Sequence, residues 1–334
     1  MEFKKFNSIE NSYQTEFIKA IYEQGFGEGD FVVQEKVHGA NLSFITNGQD
    51  VICAKRTGLI EEEENFYNAA AVLARYKRMI INLYQELSNE RNVKTVTIFG
   101  EIFGGGYPHE DVAVKSDAKL VQRGIYYSQE NDFYAFDILI DNQDYLDVKT
   151  ANKLFEKFDF VHAKSLFEGS LQECLEFSNE FKTTIPQTYN LPQLEGNTCE
   201  GVVIRPSSPL FFNRGSRIMI KNKNEKWSEN NQFIDKAILN KILHEELSAE
   251  AKMLCEKAYT YISQNRLSNV ISKIGEVDPK KDFGRVLGMF NKDILADFQK
   301  ENKEAYDALE KQESKAIAKF VNKHASKIVR EYFV

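Results

Sequence analysis

Short blocks of apolar residues separated by polar turns characterise the first part of the chain. We predict strands at residues 31–33, 42–45 and 51–53, because short blocks rich in β-branched and aromatic side chains favour strands. The polar run 47–50, which begins Asn47-Gly48, favours a hairpin turn between the last two strands. The chain is therefore predicted to begin with antiparallel β structure.

The apolar spacing then changes to that of a helix. Between residues 62 and 90, apolar side chains recur at offsets of three and four, which predicts a long amphipathic helix on one face of the early sheet. Strand patterns return at 93–103, 133–140, 201–204 and 218–220, with helical patterns near 148–158 and 170–181. This order predicts an α+β fold, since a parallel sheet requires regular alternation of strands and helices.

The pattern changes again near residue 235. Strand patterns end there, and Pro279 is the only one of the six prolines beyond that point, so several helices are predicted. We predict a first domain at residues 1–230, a polar linker at 231–240 and a small all-helical domain at 241–334.

The composition, 42% hydrophobic and 28% charged residues, is typical of a soluble globular protein. The 43 basic and 50 acidic residues give a net charge of -7, so any nucleic-acid surface must be local. Residues 241–334 hold 17 basic and 15 acidic side chains, and residues 1–240 hold 26 and 35. One stretch of 13 residues is a candidate anion site, because Glu225 alone opposes its five cations: Arg214, Arg217, Lys221, Lys223 and Lys226.

Targeting and metal patterns are also informative. No run approaches the roughly 18 apolar residues of a membrane span, and the N-terminal residues lack the apolar core of a signal peptide. The four cysteines are far apart and have no histidine at metal-ligand spacing, so neither zinc nor a disulfide framework is indicated. We expect a cytoplasmic protein that does not contact membranes.

Lys36 is the candidate nucleophile. It ends a predicted strand, and His38-Gly39 turns the chain directly after it, so a rigid strand would present the lysine to a pocket. A lysine amine becomes nucleophilic when burial or nearby cations favour its neutral form, and Lys55, Arg56, Lys221 and Lys223 are candidate neighbours. The string K-x-H-G is short, and by itself it is weak evidence for catalysis.

Six short motifs in a set order strengthen this hypothesis. They are EKVHG at 35–39, KRTG at 55–58, FGE at 99–101, FYAFD at 133–137, EGVVIR at 200–205 and IKNK at 220–223. Together they resemble the RNA ligase 2 family of covalent nucleotidyltransferases, found in T-even bacteriophages and in trypanosome RNA editing. Residues 266–276 and 281–284 also resemble the bacteriophage enzymes, so the resemblance covers essentially the whole chain.

The resemblance implies an antiparallel-sheet nucleotidyltransferase (ATP-grasp-like ligase) domain, followed by a helical C-terminal RNA-binding domain. It implies an ATP-dependent RNA ligase that seals 3′-hydroxyl and 5′-phosphate ends, at nicks in duplex RNA, for RNA repair. The reaction would pass through lysyl-AMP and an adenylated RNA 5′-phosphate, with ATP and Mg²⁺ or Mn²⁺ as cofactors. RNA is the expected partner, with no obligate protein partner, in the host cytoplasm if a phage encodes the chain.

Roles for individual residues follow from the same resemblance. Lys36 would accept AMP, Phe136 would stack on adenine, and Glu101 would bind the ribose. Glu200 would hold the metal, and Lys221 and Lys223 would contact the α-phosphate. Two alternatives stay open, because Phe136 could be a core aromatic and Glu200 could form a salt bridge with Arg205.

Further residues complete the implied site. Arg56 would contact the ribose or the RNA 5′-phosphate, and Asn41 the phosphate or its metal. Glu35 is expected to contribute to cofactor binding, with His38, Lys55 and Asp137 as weaker candidates. Gln34 departs from the resemblance, because the bacteriophage protein has a basic residue at that position, so a substrate contact assigned there does not carry over, whereas the core chemistry does not depend on it.

The helical domain is expected to clamp RNA. Basic residues crowd one region of it, and we predict that Arg266, Lys273 and Lys281 contact phosphates. For residues 300–313 we expect only a solvated surface of mixed charge.

Two rival functions are compatible with parts of this pattern. The first is a DNA ligase, although the K-x-H-G form and the absence of predicted strands after residue 235 argue against it. The second is an inactive RNA-binding scaffold, which would have no need of Lys36, Glu101, Glu200 and both lysines of the IKNK motif.

Overall fold

The computed structural model describes residues 1–213, 215–230, 238, 241–242 and 247–333. The predicted linker at 231–240 lies outside these residues except for Ile238, and so does Arg214 of the candidate anion site. The chain divides into two compact units, Met1–Lys226 and Trp227–Val334. Within the described ranges, no helix is both long enough and apolar enough to cross a membrane.

Two antiparallel sheets form the frame of the first unit. One has five strands in the order β1, β11, β10, β2, β9, with bounds Glu10–Asn11, Ile220–Lys223, Gly201–Pro206, Phe31–Glu35 and Ser165–Gly169. The other has six in the order β5, β4, β3, β6, β7, β8, with bounds Gly58–Leu59, Val51–Lys55, Ala40–Thr46, Val96–Gly104, Asn131–Ile140 and Asp144–Tyr145. Among these strands, all from the described part of the chain, β1 and β11 are the one parallel pair. The predicted α+β class is confirmed.

Helices cover the outer faces of both sheets. The five helices of this unit are α1 to α5, with bounds Thr15–Glu23, Ala69–Glu90, Val148–Lys157, Leu171–Glu176 and Ile185–Thr188. The buried side of α2, including Val72 and Ile80, packs against Phe44 of β3, as the helical period of the sequence predicted. On the first sheet, Ile21 of α1 and Leu171 of α4 pack against apolar residues such as Val33.

The inner faces of the two sheets meet in a separate apolar cluster. Phe6, Phe99, Leu139 and Met219 are buried there, and Val203 of β10 packs against them. Because strand side chains alternate, residues paired with Val203 across the sheet share this inner face. The inner face of the first sheet is therefore the one that can carry a site between the sheets.

The second unit is helical, as predicted. Between residues 247 and 333, its helices α6 to α10 have bounds Ala249–Thr260, Gln264–Ile274, Phe283–Glu301, Lys303–Asp307 and Lys311–Tyr332. Ser248 and Ser263 cap the first two through side-chain oxygens that accept backbone N–H bonds. Phe290, Ile294 and Phe298 of α8 lie in its core.

The interior of this unit also contains a charged residue. Arg266 is only 1% exposed, and its guanidinium lies 3.0 Å from the Asp293 carboxylate and 2.7 Å from that of Asp297. These carboxylates and Glu229 raise the pKa of Arg266 despite its burial. The prediction that Arg266 contacts RNA is therefore corrected, because a phosphate cannot reach a buried guanidinium that is already paired.

Replacing Arg266 with methionine should lower the free energy of unfolding of the second unit. The change leaves Asp293 and Asp297 without their shared cation, and their partial exposure limits the loss to about 2–3 kcal/mol. Urea denaturation followed by circular dichroism measures the change. Arg285→Met is the matched control, because Arg285 is exposed and its ion pair with Asp282 spans 3.8 Å. Equal stability of the two variants would show that the buried pairs contribute nothing.

Candidate active site

Glu200 is the centre of a charged cluster on the first sheet. It directly precedes β10 and is 1% exposed. Its Oε2 atom lies 2.7 Å from Lys36 Nζ, and its Oε1 atom lies 2.9 Å from Lys223 Nζ. His38 Nδ1 is 3.5 Å from Oε2. One carboxylate thus holds two lysines and a histidine that lie up to 187 positions apart in the chain.

The register of three strands produces this convergence. Strand β10 lies between β2 and β11, with Val202 opposite Glu35 and Gly201 opposite Lys223. The Lys36 N–H donates to the Gly201 carbonyl at 2.9 Å, which extends the pairing by one residue past β2. Lys36 is therefore held next to Gly201, and Glu200, the preceding residue, carries the carboxylate that its side chain contacts.

Electrostatics in the cluster favour an ionised Glu200. Burial alone would raise the pKa of its carboxyl, but Lys223, Lys36 and His38 together hold that pKa well below its usual range. Burial lowers the pKa of His38 and outweighs the opposing effect of Glu200. The cluster thus combines a neutral imidazole with an anion between two lysine side chains.

The second sheet contributes Asn41 and Glu101, and the turn after its strand β4 contributes Arg56. Asn41 on β3 lies opposite Glu101 on β6, and the Asn41 amide donates to the Gly100 carbonyl at 3.3 Å. Arg56 Nη1 donates to the Phe6 carbonyl at 2.9 Å. Burial raises the pKa of Glu101 to about 7, with Lys36 lowering it and Glu200 raising it further. The charges of Lys36 and Glu200 thus act on Glu101 from the first sheet.

Gly39 permits this approach between the sheets. A Cβ atom at this position would lie 2.4 Å from the Ile102 carbonyl oxygen of β6, which no real side chain allows. The turn after Lys36 can therefore lie against β6 only with glycine there.

Ionisation of Glu101 should cost stability as the pH rises. Its pKa of about 7 lies above the ordinary value, so the folded protein keeps a proton that the unfolded chain releases between about pH 4.5 and 7. Glu101→Gln should therefore raise the free energy of unfolding at pH 8 by about 1–3 kcal/mol, with no gain at pH 4.5. Urea denaturation at both pH values tests this, with exposed Glu168→Gln as the control. A gain equal at both pH values would exclude this titration.

The position of Phe136 is compatible both with a core aromatic and with a ring that stacks on adenine. It is half-buried and meets Phe6 edge-on, with ring centroids 5.0 Å apart. It is also the extra residue of a bulge in β7, because Ala135 pairs with Gly100 and Asp137 with Phe99. The ring packs in the inner cluster beside Val203 and keeps some exposed surface that a base could cover.

The structure corrects the prediction for Asp137. This residue is fully buried, with its carboxylate 3.1 Å from Arg205 and 2.5 Å from Arg217. The Arg217 guanidinium also lies over the Tyr145 ring at 3.8 Å. Asp137 therefore neutralises two buried arginines, and the alternative pairing of Glu200 with Arg205 does not occur.

The structure also corrects the prediction for the Glu35 side chain and gives Lys55 a partner outside the cluster. The Glu35 carboxylate accepts hydrogen bonds from Thr183 and from Thr184, whose hydroxyl lies 2.6 Å away. Glu35 pairs with Val202, so its side chain points to the face opposite Val203. Its side chain cannot join the cluster, and Lys55 instead forms an ion pair with Glu64.

The two lysines of the IKNK motif do lie on one side of β11. Lys221 pairs with Val203, and Lys223 is two residues further along the strand, so both side chains share the inner face. Asn222 between them points the other way and accepts a hydrogen bond from Ser12 at 3.1 Å. Lys221 is half-buried on the face that carries the site.

Glu200 offers an oxygen that suits a divalent cation. Its buried Oε1 atom accepts no well-directed hydrogen bond, although Lys223 Nζ is close. Among the residues that the structure describes, no group of three or more His, Cys, Asp or Glu could enclose a metal. A magnesium ion commonly uses one or two carboxylates, several waters and substrate phosphates, so Glu200 fits a cation of this kind.

Sequence reasoning missed the residues that hold the loop after Lys36. The His38 N–H donates to the Tyr127 hydroxyl at 2.8 Å, and the Gln122 amide donates to the Gly39 carbonyl at 3.3 Å. Both contacts join residues more than 80 positions apart. No local pattern marks them, because a buried tyrosine or glutamine looks the same in sequence whatever it contacts.

Comparisons with known proteins identify the family of the chain. The RNA ligase family model matches residues 29–223, and the T4 RNA ligase 2 C-terminal model matches residues 244–327. The mitochondrial RNA-editing ligase 2 of Trypanosoma brucei brucei is 27% identical over 351 residues, covering 90% of this chain and 83% of that protein. The RNA-editing ligase 1 of the same organism is 27% identical over 347 residues, covering 85% and 73%.

Solved structures show a weaker likeness. A Naegleria gruberi RNA ligase variant with AMP and Mn aligns with a TM-score of 0.47 and 17% identity, covering 67% of this chain. A second variant of that ligase, with ATP and Mn, gives 0.45 and 18%. The chain spans 57% of the length of either protein.

Proposed function

The chain belongs to the RNA ligase family, and from this premise we propose that it is an ATP-dependent RNA ligase that carries AMP on Lys36. The observation that supports the proposal most directly is the convergence of Lys36, Glu200 and Lys223 within 2.9 Å contacts. A lysine at the end of a rigid strand, beside cations that can bind phosphate, suits nucleophilic attack on a nucleotide.

In the first step, Lys36 Nζ gives one proton to water, attacks the α-phosphorus of ATP and loses a second proton as the new bond forms. A nitrogen–phosphorus bond forms, the bond to the bridging oxygen breaks, and pyrophosphate leaves with that electron pair. Lys223 and Lys221 lie on the inner face, where they can neutralise the charge that develops on the phosphate oxygens. Glu101 and Phe136 would hold the ribose and the adenine.

In the later steps, AMP passes from Lys36 to an RNA 5′-phosphate, and a 3′-hydroxyl then attacks that phosphorus and releases AMP. Each step exchanges one bond to phosphorus for another, so positioning and charge neutralisation contribute most of the rate. A divalent cation, Mg²⁺ or Mn²⁺, bound at Glu200 would supply further neutralisation of phosphate charge. Asn41 pairs with Glu101 across the second sheet, and Arg56, in the turn after β4, acts electrostatically on Glu101, so both would contact the same phosphates or the ribose.

We propose nicked duplex RNA as the substrate and RNA repair as the role, in the cytoplasm and without an obligate protein partner. The match of residues 244–327 to the C-terminal region of T4 RNA ligase 2 supports an RNA ligase of that type. Nicks ending in a 3′-ribose should be sealed faster than nicks ending in a 3′-deoxyribose. The reverse preference would identify a DNA ligase.

A labelling experiment tests the chemistry. The protein is incubated with magnesium and ATP labelled at the α-phosphate, then denatured and examined for bound label. A chase with nicked duplex RNA should move the label to the RNA 5′-phosphate and then to free AMP. Absence of label, from protein shown by mass spectrometry to carry no AMP beforehand, would refute the proposed function.

A truncated chain of residues 1–226 should still form the AMP adduct, because the whole cluster around Glu200 lies in the first unit. Sealing of nicked duplex RNA should fall by roughly 100-fold or more, since the unit expected to bind RNA phosphates is missing. Both activities are measured on the truncated and the full chain. Sealing by the truncated chain at the full rate would contradict the proposed role of the helical unit.

A further inference from the structure

Helix α10 carries a regular row of five lysines, which we call the lysine ridge: Lys311, Lys315, Lys319, Lys323 and Lys327. The buried residues of α10 form a second row with the same spacing of four: Ile317, Val321, Ala325 and Val329. The two rows are offset by two residues, which is about 200° around a helix. The lysine ridge therefore follows the side of α10 opposite the core along its whole length.

The ridge concentrates the positive charge of this part of the chain. Helix α10 holds six basic residues and two acidic ones, Glu313 and Glu331, a net charge of +4. The other residues between 241 and 334 hold 11 basic and 13 acidic side chains, a net charge of -2. The small positive charge of residues 241–334 is thus located on one helix.

The lysines of the ridge are exposed and largely unpaired. Within the described part of the chain, no carboxylate lies within ion-pair distance of Lys311, Lys315, Lys319 or Lys323. Lys327, at the end of the ridge, lies 3.9 Å from Glu331, and both side chains are well exposed. Exposed pairs of this kind contribute little and exchange readily for another anion.

A histidine beside the ridge, His324, is affected by the positive charge of the surrounding lysines. His324 lies next to Lys323, and burial lowers its pKa, with Lys323, Lys241 and Lys327 lowering it further. Phe320 and Tyr259 pack against the imidazole ring. The positive charges of Lys323, Lys327 and Lys241 therefore all act on the imidazole of His324.

We propose that the lysine ridge of α10 is the surface through which the helical unit binds the phosphate backbone of RNA. Successive lysines are about 6 Å apart along the axis, so the ridge presents point charges over about 24 Å. Lysine binds phosphate without reading bases, which suits an enzyme that must accept nicks in any sequence. The proposal rests on the proposed function and names the surface that serves it.

Other partners fit the ridge less well. A membrane-surface helix inserts an apolar face between lipids, but the apolar face of α10 is already buried in the core of its own unit. A protein interface has an apolar centre with aromatic or aliphatic anchors, whereas this face presents charges at every fourth residue. Of the contacts predicted from sequence, Arg266 is buried and Lys273 lies 2.7 Å from Asp293. The predicted contact of the exposed Lys281 stays a prediction beside the ridge.

The test compares two double variants of the full chain with equal change in charge. One removes two ridge lysines, Lys319→Gln with Lys323→Gln, and the other removes exposed lysines elsewhere in the unit, Lys257→Gln with Lys303→Gln. Binding to a nicked RNA duplex is measured by fluorescence anisotropy across a salt series. Thermal unfolding confirms that both variants fold, and adduct formation with labelled ATP is measured alongside.

The ridge variant should bind RNA roughly 10-fold more weakly than the control near 0.1 M salt. Its slope of log affinity against log salt should fall by about two, one for each lost phosphate contact. Adduct formation should equal that of the wild type in both variants. Equal RNA binding by the two variants would overturn the proposal. Binding of both variants to anionic lipid vesicles is also measured, and a ridge variant that loses vesicle binding but keeps its RNA affinity would overturn the proposal as well. If the wild type forms no adduct, the proposed function fails, and the comparison of RNA binding still decides the ridge.

Discussion

Lys36→Ala should abolish formation of the AMP adduct while leaving the protein able to seal RNA that already carries a 5′-adenylate. The alanine has no nitrogen to bond to phosphorus, so adduct formation should fall by roughly 10⁴ or more. Pre-adenylated RNA bypasses this step and needs only Lys221, Lys223 and Glu200 to position the reacting groups. Sealing of that substrate should therefore persist at a measurable rate.

Label bound to denatured protein and the yield of sealed RNA measure the two activities. Lys182→Ala is the control, because Lys182 is an exposed lysine whose contact is with Gln193 rather than with the cluster. Loss of Lys36 also frees one oxygen of Glu200 from a 2.7 Å contact, so thermal unfolding should accompany the assay. Equal loss of both activities in a folded protein would show that Lys36 supports the fold rather than the chemistry.

Asp137→Ala should lower the free energy of unfolding of the first unit by about 3–5 kcal/mol. The carboxylate lies 3.1 Å from Arg205 and 2.5 Å from Arg217, and all three side chains are almost completely buried. Removing it leaves two cations in the interior with no counter-ion, and burial of an unpaired charge is costly. Urea denaturation followed by circular dichroism measures the loss.

Asp144→Ala is the matched control, because Asp144 is an exposed aspartate on the neighbouring strand β8. A loss below about 1 kcal/mol for Asp137→Ala would mean that the arginines find other partners. Asp137→Asn keeps the shape of the side chain and separates the two candidate roles. A folded Asp137→Asn protein should form the adduct at the wild-type rate, and loss of the adduct would restore a direct role in nucleotide binding.

The sequence predicted the main elements well, because periodicity reflects which side of an element is buried. The helical spacing between 62 and 90 corresponds to α2, which begins at Ala69, after Asn68 in a left-handed conformation. The strand patterns at 133–140 and 201–204 correspond to β7 and β10. The strand Ser165–Gly169 was missed, because it lies at a sheet edge, half-exposed and with mixed residues.

The sequence by itself also determined the family. Six short motifs in a fixed order rarely occur together by chance, even though each motif alone is weak evidence. Neither their order nor their composition shows which side of a strand each residue faces. Val202 and Val203 look alike in the sequence, but pairing with Glu35 or Lys221 places them on opposite faces of the sheet. The tertiary structure alone excluded the Glu35 carboxylate from the site, whereas Lys221 was already expected there from the sequence.

The same limit applies to charges. Arg266 on α7 and Lys319 on α10 are both basic residues of predicted helices, yet one is buried among carboxylates and the other is exposed. A charge can be buried only where opposite charges from distant segments meet it, as Asp293 and Asp297 do here. The sequence therefore determined the elements, the class and the chemistry of the motifs, because these depend on local order. Only the tertiary structure decided which charges pair inside and which remain for RNA, because that depends on contacts between residues far apart in the chain.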